Sequence, residues 1–167
     1  MAKTATYSLI ASYTHSGAST TTITMSSIPA TFTDLVVVSN VLYSANNGDY
    51  MSWRMNGDSS ALYSSTPVVG TGTAAESFRA TNGTQIAFYG SSTTNYVPSI
   101  TNFMDYANTT TNKTILLRAS GAGNSVEARV GLYRSTAAIS SISLFFPVAS
   151  IAAGTNIKIY GIQAGNA

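Results

Sequence analysis

His15 is the only histidine in this chain, and Asp34, Asp49, Asp58, Glu76, Asp105 and Glu127 are its only carboxylates. These seven side chains bound the acid–base chemistry. His15 sits in Tyr13-Thr14-His15-Ser16-Gly17, where an imidazole could act as a general base or a metal ligand. No second histidine exists and no carboxylate lies near it in sequence, so a solvated turn residue is the expectation. Two carboxylates roughly 5–10 Å apart could run glycoside hydrolysis, and Asp49 and Asp58 would meet if their turns shared one end of the fold. Each follows Asn-Gly, however, where a short acidic side chain closes a turn by local hydrogen bonding. A calcium site at the same aspartates lacks the dense oxygen-ligand spacing such sites need. With 24 serines and 23 threonines, a hydroxyl near His15 would not mark a triad. The absence of cysteine removes disulfides, thiolate catalysis and cysteine-bound metal. No catalytic, cofactor-binding or metal site is expected, and the chain reads as a non-enzyme.

Aromatic side chains offer a different chemistry, the stacking of sugars. Tyr43, Tyr50, Trp53 and Tyr63 flank the central turns, and Tyr89, Tyr96 and Tyr106 flank a later loop. Most are expected in a core or a subunit interface, with exposure the point to check. Asn82, Asn108 and Asn112 match the glycosylation triplet, which chance supplies in so threonine-rich a chain.

The elements that position these residues are strands. Phe32–Asp58 contains the run Leu35-Val36-Val37-Val38, read as a strand buried on both faces. Val41 and Tyr43 continue it, Asn47-Gly48-Asp49 supplies a turn, and Met51, Trp53 and Met55 share one face of a returning strand with Arg54 on the other. A second turn follows at Asn56-Gly57-Asp58. Ahead of this stretch, Thr6–Tyr13 alternates with Tyr7, Leu9, Ala11 and Tyr13 on one side, and Thr20–Met25 follows a turn at His15-Ser16-Gly17. Behind it, Ala61–Tyr89 reads as a long excursion whose only convincing strand is Gln85–Tyr89; such an excursion is the leading region for partner contact. Gly90–Asn95 is a polar loop. Ser99–Tyr106, Lys113–Ala119, Val126–Arg134, Ser140–Phe146 and Asn156–Ile162 are further strands, with separators such as Gly121–Asn124 rich in turn residues. Val126, Ala128, Val130 and Leu132 face one way and Glu127, Arg129 and Tyr133 the other, as on a strand with one wet face.

About nine or ten strands with regular turn signals and no helical period predict an all-β fold, a single antiparallel β-sandwich of jelly-roll type spanning residues 1–167. The chain's 167 residues suit one domain with a real core. Charged residues make up only 8% of it and hydrophobic residues 44%. A surface so poor in charge lacks the like-charge repulsion that keeps monomers apart, which points to assembly. The net charge of +2 with scattered basic residues argues against nucleic acid. No apolar run is long enough for a signal peptide or a membrane span, so synthesis in a cytoplasm and no membrane partner are expected.

Thr6–Ser12, Ser26-Ser27-Ile28-Pro29-Ala30-Thr31-Phe32-Thr33-Asp34-Leu35-Val36-Val37-Val38, Arg54-Met55-Asn56-Gly57-Asp58 and Gly154–Ile162 together resemble small virion proteins of tailed bacteriophages, including cyanophages. The resemblance implies a non-enzymatic β-sandwich on the outer surface of a virion. Within that class, a capsid decoration (cement) protein would bind the major capsid protein lattice as a homo-oligomer, with a trimer favoured. A tail or fibre protein would instead present its loops to a host-surface glycan. The compact chain, without a coiled-coil or repetitive shaft, favours cement.

Overall fold

The computed structural model describes residues 6–44, 50–89, 95–121 and 125–163. Thirteen strands run through them, and no helix interrupts them. They are β1 (Tyr7–Thr14), β2 (Thr22–Met25), β3 (Asp34–Val41), β4 (Met51–Met55), β5 (Tyr63–Gly70), β6 (Ala75–Ser77), β7 (Ala80–Gly83), β8 (Ile86–Phe88), β9 (Val97–Met104), β10 (Lys113–Ser120), β11 (Val126–Tyr133), β12 (Ile142–Phe145) and β13 (Asn156–Ile162). A nine-stranded sheet has the order β1-β13-β3-β9-β10-β11-β5-β6, with β7 also on β5, and a four-stranded sheet has the order β2-β12-β4-β8. The chain is thus an all-β antiparallel β-sandwich, as its alternation predicts.

Ten of the strands coincide with sequence-predicted ones, and the additional three, β5, β6 and β7, fall in the stretch read as an excursion. Pro67 hid β5. Its carbonyl accepts from Ser77 Oγ at 2.9 Å, and a residue's N and O point to the same side of a strand. The proline nitrogen therefore faces the gap between β6, which pairs with Val68–Gly70, and β7, which pairs with Tyr63 and Ser65. No ladder donor is lost there.

Other expectations need correction. β3 and β4 do not form a hairpin, because they belong to opposite sheets; the Asn47–Asp49 turn between them lies outside the described residues, as do 90–94 and 122–124 of the predicted loops. Asn56 and Gly57, at φ 52° and 66°, do form a tight turn, with Asp58 N–H donating to Met55 O at 2.9 Å. That turn leads from the small sheet to the large one. On β1 a bulge between Leu9 and Ala11 inserts Ile10, so Tyr7 and Leu9 share the face of Tyr160 while Ala11 and Tyr13 are set beside Ile159 and Ile157. One extra residue moves the rest of a strand to the other face.

The core lies between the sheets. Met51, Trp53 and Met55 share one face of β4 as predicted, and that face turns inward, into a core with Leu35, Val37, Phe103, Ile115 and Ile159 from the large sheet. Trp53 joins the layers: its ring stacks on Phe88, meets Phe103 edge-on at 6.2 Å, and its Nε1–H donates to Thr101 Oγ1 at 3.0 Å. Such a bond satisfies the one polar group that burying an indole would otherwise strand.

Candidate functional site

Of the residues with acid–base potential, His15, Asp34 and Asp58 are held by hydrogen bonds within the fold. His15 is buried, not solvated. Its Nε2 lies 2.9 Å from Ala18 O, which can only accept, so that nitrogen carries the proton and Nδ1 accepts from the Tyr13 hydroxyl at 3.1 Å. The backbone around it is also held, since His15 N–H donates to Thr155 O and Gly154 N–H donates to His15 O. Asp58 closes its own turn, as the Asn-Gly-Asp pattern predicts, accepting from Ser60 N–H and the Ser60 hydroxyl and from the Tyr133 hydroxyl at 2.8 Å. These bonds, led by the Ser60 hydroxyl, hold its carboxyl below the usual aspartate range. Asp49, its proposed partner, lies outside the described residues. Asp34 accepts from Asp105 N–H at 2.7 Å. No group of three His, Asp or Glu side chains converges as a metal site among the described residues.

The aromatic candidates divide. Tyr43, Trp53, Tyr63 and Tyr106 are core residues. Tyr50 and Tyr96 are exposed, and the Tyr50 and Tyr89 rings meet nearly at right angles, which offers no coplanar platform for a sugar. Two of the glycosylation-triplet asparagines make structural hydrogen bonds: Asn82 Oδ1, on β7, accepts from Arg134, and Asn108 Oδ1 closes a turn by accepting from Thr110 and Thr111 N–H. Lys113, fully buried, donates from Nζ to the carbonyls of Asn108, Thr111 and Thr136 at 2.6, 2.7 and 3.2 Å. Its burial pulls the ammonium pKa down.

The outer face of the large sheet is different. On β11 the expected polarity is reversed: Glu127 and Arg129 point into the sandwich, each 4% exposed, while Val126 and Val130 stand outward at 62% and 55%. Strand pairing extends this face. Arg118 lies between Ile100 and Ala128, Ile100 is beside Val38, and Ala128 is beside Val68. In the next rung Leu116 lies between Asn102 and Val130. Val38, Ile100, Leu116, Val68 and Val130 are all exposed, so the apolar surface crosses five adjacent strands, from β3 to β5. A groove of about 520 Å³ runs through it, lined by Thr66, Val68, Asn102, Leu116, Arg118 and Val130. This apolar sheet face is the candidate site.

The chain matches no protein-family model and no curated protein sequence. Among solved structures it is similar to a galectin of Caenorhabditis elegans, at 10% identity and a TM-score of 0.39 over 92% of this chain and 96% of that one. A Shewanella oneidensis protein of unknown function is similar at 13% identity and a TM-score of 0.29, over 96% of this chain and 77% of that one. Likenesses this distant leave the site to be argued from its own residues.

Sequence alternation missed the face because period two separates two sides of a strand without saying which one is inward. The available signal was the unbroken apolar run. Leu35–Val38 and Ile115–Leu117 place apolar side chains on both faces, the pattern of a sheet covered on both sides. The small sheet covers one side only.

Proposed function

We propose that the chain is a non-enzymatic structural subunit of a tailed-phage virion, a capsid decoration protein that lays the outer face of its large sheet on the major capsid protein lattice. The observation that carries this reading is that face: strands patterned for cover on both sides, with Val68, Ile100, Leu116 and Val130 left exposed. The low charge content supports the same reading, as does the resemblance of the end-to-end sequence pattern to phage virion proteins. Burying apolar side chains against a partner contributes roughly 25 cal/mol per Å² of apolar surface before the costs of association. Each contact is modest, and repetition over a lattice, with the chain as a trimer, multiplies it through avidity. The shell then resists internal pressure because neighbouring capsid subunits are bridged.

Glycan recognition by a tail appendage has less support, because Tyr43, Trp53, Tyr63 and Tyr106 are buried, Tyr50 and Tyr89 meet nearly at right angles, and Tyr96 is the one other candidate left exposed. The test is to strip the chain from purified particles and challenge them with heat and osmotic shock. Stripped particles should break at milder conditions and recover when the chain is added back. Unchanged resistance would count against a cement role.

A further inference from the structure

The apolar face carries one charge at its centre. Arg118 is exposed on β10 and borders three adjoining hollows of about 520, 410 and 290 Å³, the one residue common to all of them. Its rung reads Val38, Ile100, Arg118, Ala128, Val68 across the sheet. Among the described residues no carboxylate pairs with it; the chain's one ion pair there is Glu127 with Arg129, on the opposite side of the sheet. Other charges on this side are Lys158, beside Val38, Asp34 at the far end of β3, and Arg79, which borders a hollow of about 190 Å³ together with Thr66 and Val130. Asp34 is already engaged with Asp105 N–H.

An occupant that covers the valines also covers this guanidinium. A cation placed under an apolar lid without a counter-charge is strongly destabilised by the loss of its hydration, so the occupant must bring the anion. A second copy stacked face to face brings another Arg118 and Lys158, like charge against like. We infer that Arg118 is the anchor for a carboxylate on the partner protein, an Asp or Glu side chain set within an otherwise apolar surface. The planar fork of arginine suits bidentate capture of a carboxylate, and arginines in the middle of apolar interfaces are frequent hot spots. This inference rests on the docking role proposed for the face.

The test uses stripped particles and the purified full-length chain, measuring bound copies against concentration at low and high salt. Arg118 is exposed and makes no hydrogen bond among the described residues, so its variants should fold as wild type, which circular dichroism checks. Arg118→Leu should bind at least about tenfold more weakly, with a flatter salt dependence, and Arg118→Lys should recover part of the loss. Val130→Asp, which places a carboxylate in the apolar surface, tests the face itself. Equal or tighter binding by Arg118→Leu, with Val130→Asp defective, overturns the arginine anchor and leaves the docking face standing. Wild-type binding by Val130→Asp overturns both. A concentration-dependent dimer of the free chain that Val130→Asp abolishes would assign the face to a second copy and overturn the inference.

Discussion

Glu127 and Arg129 form an ion pair inside the sandwich, two residues apart on a strand whose valines face outward. The pair is closed on all sides by polar partners. Glu127 accepts from Tyr89 N–H at 2.8 Å, Arg129 donates to Ser65 Oγ at 2.8 Å, and the guanidinium lies 5.5 Å from the Phe78 ring centre. Removing either member leaves a buried charge alone.

Glu127→Leu or Arg129→Met should therefore each destabilise the fold by ~3–5 kcal/mol, while the two substitutions combined cost less than either alone. Urea unfolding of the three variants checks this. Additive single and double effects would show that the two side chains do not act as a pair.

Trp53 and Thr101 make a second link, across the layers. Trp53→Phe should lose the 3.0 Å hydrogen bond and leave Thr101 Oγ1 buried without that donor, at a cost of ~2–4 kcal/mol with the lost ring volume. Thr101→Val should cost ~1–3 kcal/mol, since it strands the indole N–H. Equal stability of Thr101→Val and wild type would remove the hydrogen bond from the account.

Three buried tyrosines set the alkaline limit. Burial raises the phenols of Tyr63, Tyr106 and Tyr133 above their ordinary value of 10.0. Above pH 10 the unfolded chain releases these protons first, so the native state binds more of them and stability falls as pH rises. Stability should be undiminished by these groups below pH 10 and decline above it, less steeply in Tyr63→Phe. Lys113 works in the opposite direction: its lowered pKa makes stability rise as pH climbs from that value towards the ordinary 10.5. Denaturation midpoints through the alkaline range read both, with the tyrosines dominating by number.

How much of this was legible in the sequence depends on what each pattern encodes. Met51, Trp53 and Met55 alternate with polar neighbours, and that pattern puts them on one face of a strand, which the fold turns into the core. The same alternation on β11 gave the two faces and misassigned them, because Tyr89 N–H, Ser65 and Phe78 are brought to the inner side only by the folded chain. Pro67 is a residue type that argues against a strand, yet it occupies the gap between the β6 and β7 pairings. Ile10 left no sign of a bulge, since its type fits a strand equally well. Asn56-Gly57-Asp58 was readable as a turn, but not as a crossing between sheets, which depends on pairing partners remote in sequence. His15 read as solvated because its acceptor, Ala18 O, is a backbone group that no side-chain pattern announces.

The face itself separates stability from assembly. Val130 is more than half exposed and makes its outward contacts with neighbours on the sheet, so Val130→Asp should change folding stability by no more than ~0.5 kcal/mol while removing binding to the particle. A large loss of stability would mean that the side chain supports the fold and not an interface.

Cryo-electron microscopy of the assembled particle, with this chain located in the map, would show whether the large sheet's outer face is the docking surface. Density over the capsid lattice is expected, with Val68, Ile100, Leu116 and Val130 packed against a neighbouring protein and a carboxylate at Arg118. A chain attached through another surface with this sheet face open to solvent, or confined to the tail fibres, would contradict it.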